Sequence, residues 1–123
     1  MVNGAHVLLY SSNPDADRAF FRDVLRFAHV DVGHGWLIFK LPPSEIAVHP
    51  ANGVTAPAHA GHAMIGAVVY LMCDDLRATL STNKLAHTEI EQENWGLRTT
   101  IKLPSGSELG LYQPSHPTAT ALA

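Results

Sequence analysis

Side chains able to bind a metal or move a proton are spread through this chain instead of forming one motif. Eight histidines occur among 123 residues, and histidine is a common metal ligand that titrates near neutral pH. His6 opens an apolar run, and Glu45 and Glu108 each open another. These three side chains are the candidates for metal-dependent or acid–base chemistry. No Gly-x-Ser-x-Gly motif and no phosphate-cradling glycine loop occurs, so a serine nucleophile and a nucleotide site are not indicated.

The two glutamates lie at equivalent places in a repeated pattern. Lys40-Leu41-Pro42 recurs as Lys102-Leu103-Pro104, and the segment 44–49 recurs as 107–112 with one extra residue in the preceding turn. Repeats in the same order at nearly one spacing indicate a duplicated structural module.

Each half of the chain predicts a strand, a helix and three further strands. In the first half the strand spans 6–10, and Asn13 and Pro14 begin a helix whose apolar spacing runs to Phe27. In the second half Asp74 or Asp75 begins a helix ending near Ala86. The remaining predicted strands are 28–32, 35–41, 44–49, 68–73, 88–93, 97–103 and 107–112. The pattern predicts an α+β domain of two βαβββ modules, with module one at 4–50, a linker at 51–66, module two at 67–114 and a tail at 115–123.

Composition limits the cellular compartments and the classes of binding partner that are expected for this protein. The formal net charge is −3 and no basic run occurs, which disfavours nucleic acid as a partner because affinity for phosphates depends on Lys and Arg. No apolar stretch approaches the roughly 20 residues of a membrane span, so no membrane association is expected. The single cysteine, Cys73, permits no internal disulfide. With no signal-peptide pattern at the start, we expect a cytoplasmic protein.

Several motifs resemble those of one large superfamily. A strand leads into Asp-Asp-Leu-Arg-Ala-Thr-Leu at 74–80, Trp95-Gly96 follows, and Leu-Pro-Ser-Gly-Ser-Glu-Leu-Gly-Leu-Tyr-Gln-Pro fills 103–114. The first half agrees through 6–10 and 20–27. The chain thereby resembles the vicinal oxygen chelate superfamily, the glyoxalase, bleomycin-resistance and dioxygenase-like proteins. The resemblance implies a curled mixed sheet around an open cleft, a small organic ligand and a homodimer.

The resemblance also implies where a metal would bind. The family's ligand positions fall here on His6, Ala47, Val68 and Gly110, and His6 alone has a coordinating side chain. A catalytic metal generally needs about three protein ligands. We therefore expect a small organic molecule to bind in the cleft with no cofactor. The alternative is a lyase or dioxygenase that uses a divalent metal (Ni, Zn, Fe or Mn), with His6 as a ligand and Glu45 or Glu108 as a ligand or base.

Strand alternation predicts which other side chains face the cleft. The predicted ligand-binding residues are His6, Tyr10, His49, Val68, Tyr70, Met72 and Tyr112, with Glu45 and Glu108 as catalytic candidates. The same residues also have structural interpretations. His6 can be a strand residue bonded to a neighbour, and the two glutamates can be edge charges that discourage strand pairing. His59 and His62 have a spacing suited to a metal on a helix, but the surrounding Gly and Pro favour a loop.

Overall fold

A four-stranded sheet forms the centre of the second half. The computed structural model describes residues 6–50 and 57–122. The sheet contains β5 (Tyr70–Met72), β6 (Glu91–Glu93), β7 (Gly96–Lys102) and β8 (Glu108–Pro114), in the order β5-β8-β7-β6. β5 runs parallel to β8, and the other pairs are antiparallel. Helix α2 (Leu76–Thr82) connects β5 to the rest, so this half has the predicted βαβββ order.

One face of this sheet packs against the helices and forms the core. The buried apolar residues are Leu76, Leu80, Ile101, Leu103, Leu109 and Leu111. Ile101 and Leu109 are register partners on neighbouring strands, while α2 contributes two leucines one turn apart. Burying each such side chain contributes roughly 1.5–3 kcal/mol. The opposite face carries the alternate residues of each strand and is the side on which the cleft lies.

Helix α1 (Pro14–Asp23) belongs to the first half but packs on this core. The Asn13 side chain accepts a hydrogen bond from the amide of Ala16 at 3.3 Å, and proline occupies the first helical position, as predicted. Phe20, Phe21 and Leu25 pack against the buried leucines. The helix ends at Asp23 instead of continuing to Phe27, because Arg26 adopts a left-handed backbone with φ 58°. The amides of Leu25 and Phe27 then bond to the carbonyls of Phe20 and Phe21, which closes the helix end.

The first half contains a shorter sheet than predicted. β1 (His29–Asp31) and β2 (Leu37–Phe39) form an antiparallel hairpin around Gly33-His34-Gly35. The predicted strands at 6–10 and 44–49 are wrong, since neither segment is in a strand. A strand needs a neighbour to pair its backbone groups, and these segments are exposed, with Ile46 93% exposed.

A second short hairpin lies within the predicted linker. β3 (Ala58–His59) pairs with β4 (His62–Ala63), and the two residues between them both have positive φ, as a tight hairpin turn requires. His59 and His62 therefore face each other across a hairpin and are exposed. Residues 51–56 of the predicted linker, 4–5 of module one and 123 of the tail lie outside the described residues. Within the described ranges, no helix has the length and apolar character to cross a membrane.

Candidate ligand-binding cleft

A cavity of about 290 Å³ lies over the face of the second-half sheet that is opposite the core. This volume is at the lower end of the ~300–1,000 Å³ typical of small-molecule sites. First-half residues Leu9 and Tyr10 form one wall, while β5, β7 and β8 form the floor. Side chains that define its chemistry are Leu9, Tyr10, Val68, Tyr70, Thr100 and Glu108. The cavity is thus mostly apolar with a few hydroxyl groups and one carboxylate.

The structure brings four of the sequence-predicted residues together at this cavity. They are Tyr10, Val68, Tyr70 and Glu108. The hydroxyl of Tyr10 is 3.0 Å from Nδ1 of His59, so the hairpin β3–β4 holds this wall. Five other predicted residues do not line the cavity: His6 and His49 are exposed, Met72 is half-buried farther along β5, and Glu45 and Tyr112 lie beside the C-terminal tail.

The ring of Tyr70 covers Gly110 on the cavity floor. The two residues are register partners on the parallel strands β5 and β8, so their side chains leave the sheet on the same face. A Cβ atom added to Gly110 would lie 2.3 Å from Cδ1 of Tyr70 and 2.8 Å from Cγ. The ring therefore fills the space that any side chain at position 110 would need.

Two further aromatic rings, those of Trp95 and Tyr112, continue from Tyr70 along the same face. Ring centroids are 5.8 Å apart for Tyr70 and Trp95, 5.7 Å for Tyr70 and Tyr112, and 5.3 Å for Trp95 and Tyr112, and all three pairs are edge-to-face. Such pairs contribute about 0.5–1.5 kcal/mol each beyond their buried area. Sequence reasoning did not place Trp95 at the site. Its position in the Trp95-Gly96 turn, directly before β7, is a signal that could have indicated it. The cluster fixes the orientation of the Tyr70 ring.

The C-terminal tail contacts the outer end of this aromatic cluster. Nδ1 of His116 lies 2.8 Å from the carbonyl of Pro117, and a carbonyl only accepts, so Nδ1 carries the proton. Nε2 of the same ring lies 3.3 Å from the hydroxyl of Tyr112. The carboxylate of Glu45 accepts a hydrogen bond from the amide of Ala119 at 2.6 Å. Burial and the nearby charge of Glu45 raise the pKa of Tyr112.

Glu108 is held from the neighbouring strand. The hydroxyl of Thr100 donates to Oε1 of Glu108 at 2.8 Å. Thr100 is in turn 3.1 Å from the hydroxyl of Thr88, which also accepts from the Thr100 amide. Thr100 was not among the predicted residues, yet its register partner is Gly110, and alternation along β7 places it on the cavity face.

The side chains present do not fit the divalent metal that the family's ligand positions imply. Ala47, Val68 and Gly110 have no donor atom, and the Tyr70 ring occupies the space above Gly110. Glu45 bonds to Ala119 beside the C-terminal tail, whereas Glu108 lies in the cavity beside Thr100. Within residues 6–50 and 57–122, no three His, Cys, Asp or Glu side chains are grouped closely enough to hold a metal ion.

A second cavity of about 390 Å³ lies on the other side of the sheet, beside α2. Arg77, Leu80, His87 and Ile90 contribute to its lining. It is larger than the cleft but contains none of the predicted site residues and no first-half residue among those described. The cleft, where residues of both halves converge, is therefore the better candidate.

Comparison with solved structures identifies the fold. No protein-family model and no curated protein matches the sequence. A lactoylglutathione lyase from Agrobacterium tumefaciens superposes with a TM-score of 0.56 at 17% identity, covering 90% of this chain and 92% of that one. TnmS3, an antibiotic binding protein from Streptomyces sp. CB03234, superposes with a TM-score of 0.58 at 19% identity, covering 94% and 100%. The chain thus has the glyoxalase/bleomycin-resistance fold of the vicinal oxygen chelate proteins.

Proposed function

We propose that this protein binds a small organic molecule in the cleft without an intact metal site. The observation that carries the proposal is the Tyr70 ring lying on Gly110, with Cδ1 2.3 Å from where a Cβ would be. The Tyr70 ring here occupies the space where a metal-coordinating side chain at position 110 would lie. The site then offers apolar contact area and hydrogen-bonding groups instead of a Lewis acid.

The cavity lining supports binding by burial. Leu9 and Val68 provide aliphatic walls, and Tyr70 provides an aromatic floor. Each buried CH₂ group of a ligand contributes about 0.8 kcal/mol, while Thr100, Ser107 and Glu108 supply a few polar contacts that orient it. One protein of the same fold is described as antibiotic binding, which is consistent with this use of the cleft.

Metal analysis of the purified protein tests the first part of the proposal. We expect no stoichiometric Ni, Zn, Fe or Mn by inductively coupled plasma mass spectrometry. Loading with each metal should leave His6→Ala and the unchanged protein with equal content. Stoichiometric metal that is lost in His6→Ala would instead favour a metal-dependent lyase or dioxygenase using His6 with Glu45 or Glu108.

Filling the cavity tests the second part. Val68→Trp places a large ring in the cleft, and Val32→Trp adds the same ring to an exposed position in the hairpin loop that follows β1. In a thermal-shift screen of small aromatic compounds, we expect hits with the unchanged protein and Val32→Trp that are lost with Val68→Trp. Hits retained by Val68→Trp would place binding elsewhere.

We also propose that the protein forms a homodimer. Apolar side chains in the first half and near β5 are exposed, including Ile46 at 93%, Val48 at 89% and Val68 at 80%. Large exposed apolar areas mark interaction surfaces, and segments 6–10 and 44–49 alternate like strands that a second copy can pair. Light scattering should give twice the mass of one chain, and Ile46→Lys should reduce it. A single-chain mass for the unchanged protein at micromolar concentration would contradict the dimer.

A further inference from the structure

The charge in the cleft is carried by one side chain. Among the described residues that line the cavity, Glu108 carries the single carboxylate, no Lys, Arg or His is present, and the others are apolar, hydroxyl-bearing or glycine. A lone carboxylate beside apolar walls favours a ligand with a positive charge and disfavours one with a negative charge. The cavity therefore selects ligands by charge as well as by shape.

The carboxylate is held in place but retains acceptor capacity. Thr100 donates to Oε1 at 2.8 Å, and among described residues Oε2 has no hydrogen-bond donor. The hydroxyl of Thr88 contacts both the hydroxyl and the backbone amide of Thr100. This chain of hydroxyl groups limits the rotamers of Glu108. A carboxylate can accept about four hydrogen bonds. Glu108 can thus bind a donor of a ligand without giving up Thr100.

Two cationic side chains of β7, those of Arg98 and Lys102, alternate onto the same face as Thr100, and neither forms an ion pair with Glu108 in the described structure. Arg98 forms an ion pair with Glu93 at 2.9 Å. Lys102 is the register partner of Glu108, but no ion pair within 4.0 Å joins them in the described structure. Lys102 is exposed at the end of β7, where its ammonium is solvated. It weakens the negative potential at Glu108 without occupying the carboxylate.

We propose that the cleft selects apolar molecules that carry a protonated amine, with the ammonium group bound by Glu108. The inference rests on the proposed small-molecule function and names its ligand class. The apolar part of the ligand lies against Val68 and Tyr70, and the amine points along β8 to Glu108. Thr100 acts as a positioning residue, since it contacts the carboxylate and not the ammonium.

Three probes with one ring system and different head groups test the ligand class. Tryptamine, tryptophol and indoleacetate share an indole and end in an ammonium, a hydroxyl and a carboxylate. Isothermal titration should rank tryptamine first, about fivefold tighter than tryptophol, as expected for one charge-assisted hydrogen bond near solvent, with indoleacetate weakest. Raising the salt concentration should reduce the preference for tryptamine and leave tryptophol unchanged.

Variants assign the preference to Glu108. Glu108→Gln should remove the preference for tryptamine over tryptophol, whereas Glu91→Gln, on edge strand β6 outside the cavity, should retain it. Thr100→Val should reduce the tryptamine preference with little change for tryptophol, and Thr100→Ser should restore it. Circular dichroism and thermal unfolding check that each variant is folded.

The outcomes separate the two proposals. Equal binding of tryptamine and tryptophol, or a preference that survives Glu108→Gln, would overturn the amine selectivity while leaving the cleft as a binding site. If none of the three probes binds at millimolar concentration, or if Val68→Trp leaves their binding unchanged, the small-molecule function of the cleft itself is contradicted.

Discussion

Asp17 in α1 accepts two hydrogen bonds from Ser105, a residue 88 positions later in the chain. The Ser105 amide is 3.0 Å from Oδ1 and its hydroxyl 2.7 Å from Oδ2, and Ser11 donates a third bond at 2.7 Å. The carboxylate is buried, with only 6% of the residue exposed. This contact fastens the first-half helix to the turn between β7 and β8, and so fixes one side of the cleft.

Removing that carboxylate should destabilise the fold. Asp17→Asn replaces one acceptor oxygen with an NH₂ group that faces donors, and we expect a loss of about 2–4 kcal/mol in the free energy of unfolding. Urea denaturation measures the loss. Asp15→Asn, on the same helix but exposed, is the matched control and should cost less than about 0.5 kcal/mol. Equal effects of the two substitutions would contradict the role of Asp17.

Substituting Gly110 should reveal its contact with Tyr70. The Cβ of Gly110→Ala collides with the ring and forces it to move, at a cost of about 1–3 kcal/mol in stability. In a Tyr70→Ala background the same substitution should cost less than about 0.5 kcal/mol, because the obstacle is gone. A double-mutant cycle by urea denaturation measures the coupling.

Gly96 provides the control for that cycle. A Cβ at Gly96 would lie 2.1 Å from the backbone oxygen of Gln113, and its φ is 146°. Gly96→Ala should therefore be destabilising whether or not Tyr70 is present. If Tyr70→Ala relieved both glycine substitutions equally, the specific contact between Tyr70 and Gly110 would be wrong.

The phenol of Tyr112 should ionise at unusually high pH. Burial is the main cause of its raised pKa, and the charge of Glu45 raises it further, from an ordinary value of 10.0. Because the folded state favours the neutral phenol, this contribution to stability is present below pH 10.0 and is lost as pH rises through the folded-state pKa. Phenolate absorbance, after subtraction of the Tyr112→Phe titration, reports this group.

Glu45→Gln should lower the pKa of Tyr112 towards its ordinary value, since a neutral amide no longer repels the phenolate. Glu89→Gln, at an exposed position before β6, should leave the titration unchanged. An unchanged Tyr112 pKa in Glu45→Gln would show that Glu45 does not act on this phenol.

Cys73 should react slowly with alkylating reagents in the native protein. Partial burial is the main influence and raises the pKa of its thiol; a hydrogen bond involving Thr79 opposes this less strongly, and the charge of Asp74 adds the smallest, raising contribution. Since the thiolate is the reactive form, we expect iodoacetamide to modify Cys73 at least about tenfold faster in denaturant than in buffer. Mass spectrometry over time measures both rates, and equal rates would contradict the protection.

Sequence periodicity determined the local elements of this protein. The cap at Asn13, the proline after it and the leucine pair of α2 are local signals, and both helices begin where predicted, although they end earlier than predicted, at Asp23 and Thr82 instead of Phe27 and near Ala86. Alternation correctly placed Tyr70, Glu108 and Gly110 on one face, because side chains on a strand alternate with a fixed period. The repeated halves also pointed to the fold that the solved structures share.

Only the tertiary structure decided how those elements meet. No local pattern predicts that Asp17 reaches Ser105 or that Thr100 holds Glu108, because these contacts depend on which strands are neighbours and in what register. Segments 6–10 and 44–49 have strand-like sequences but lack a paired neighbour, and a strand cannot form alone. Likewise, the glycine at 110 shows that a ligand side chain is missing, but only packing shows that the Tyr70 ring fills its place.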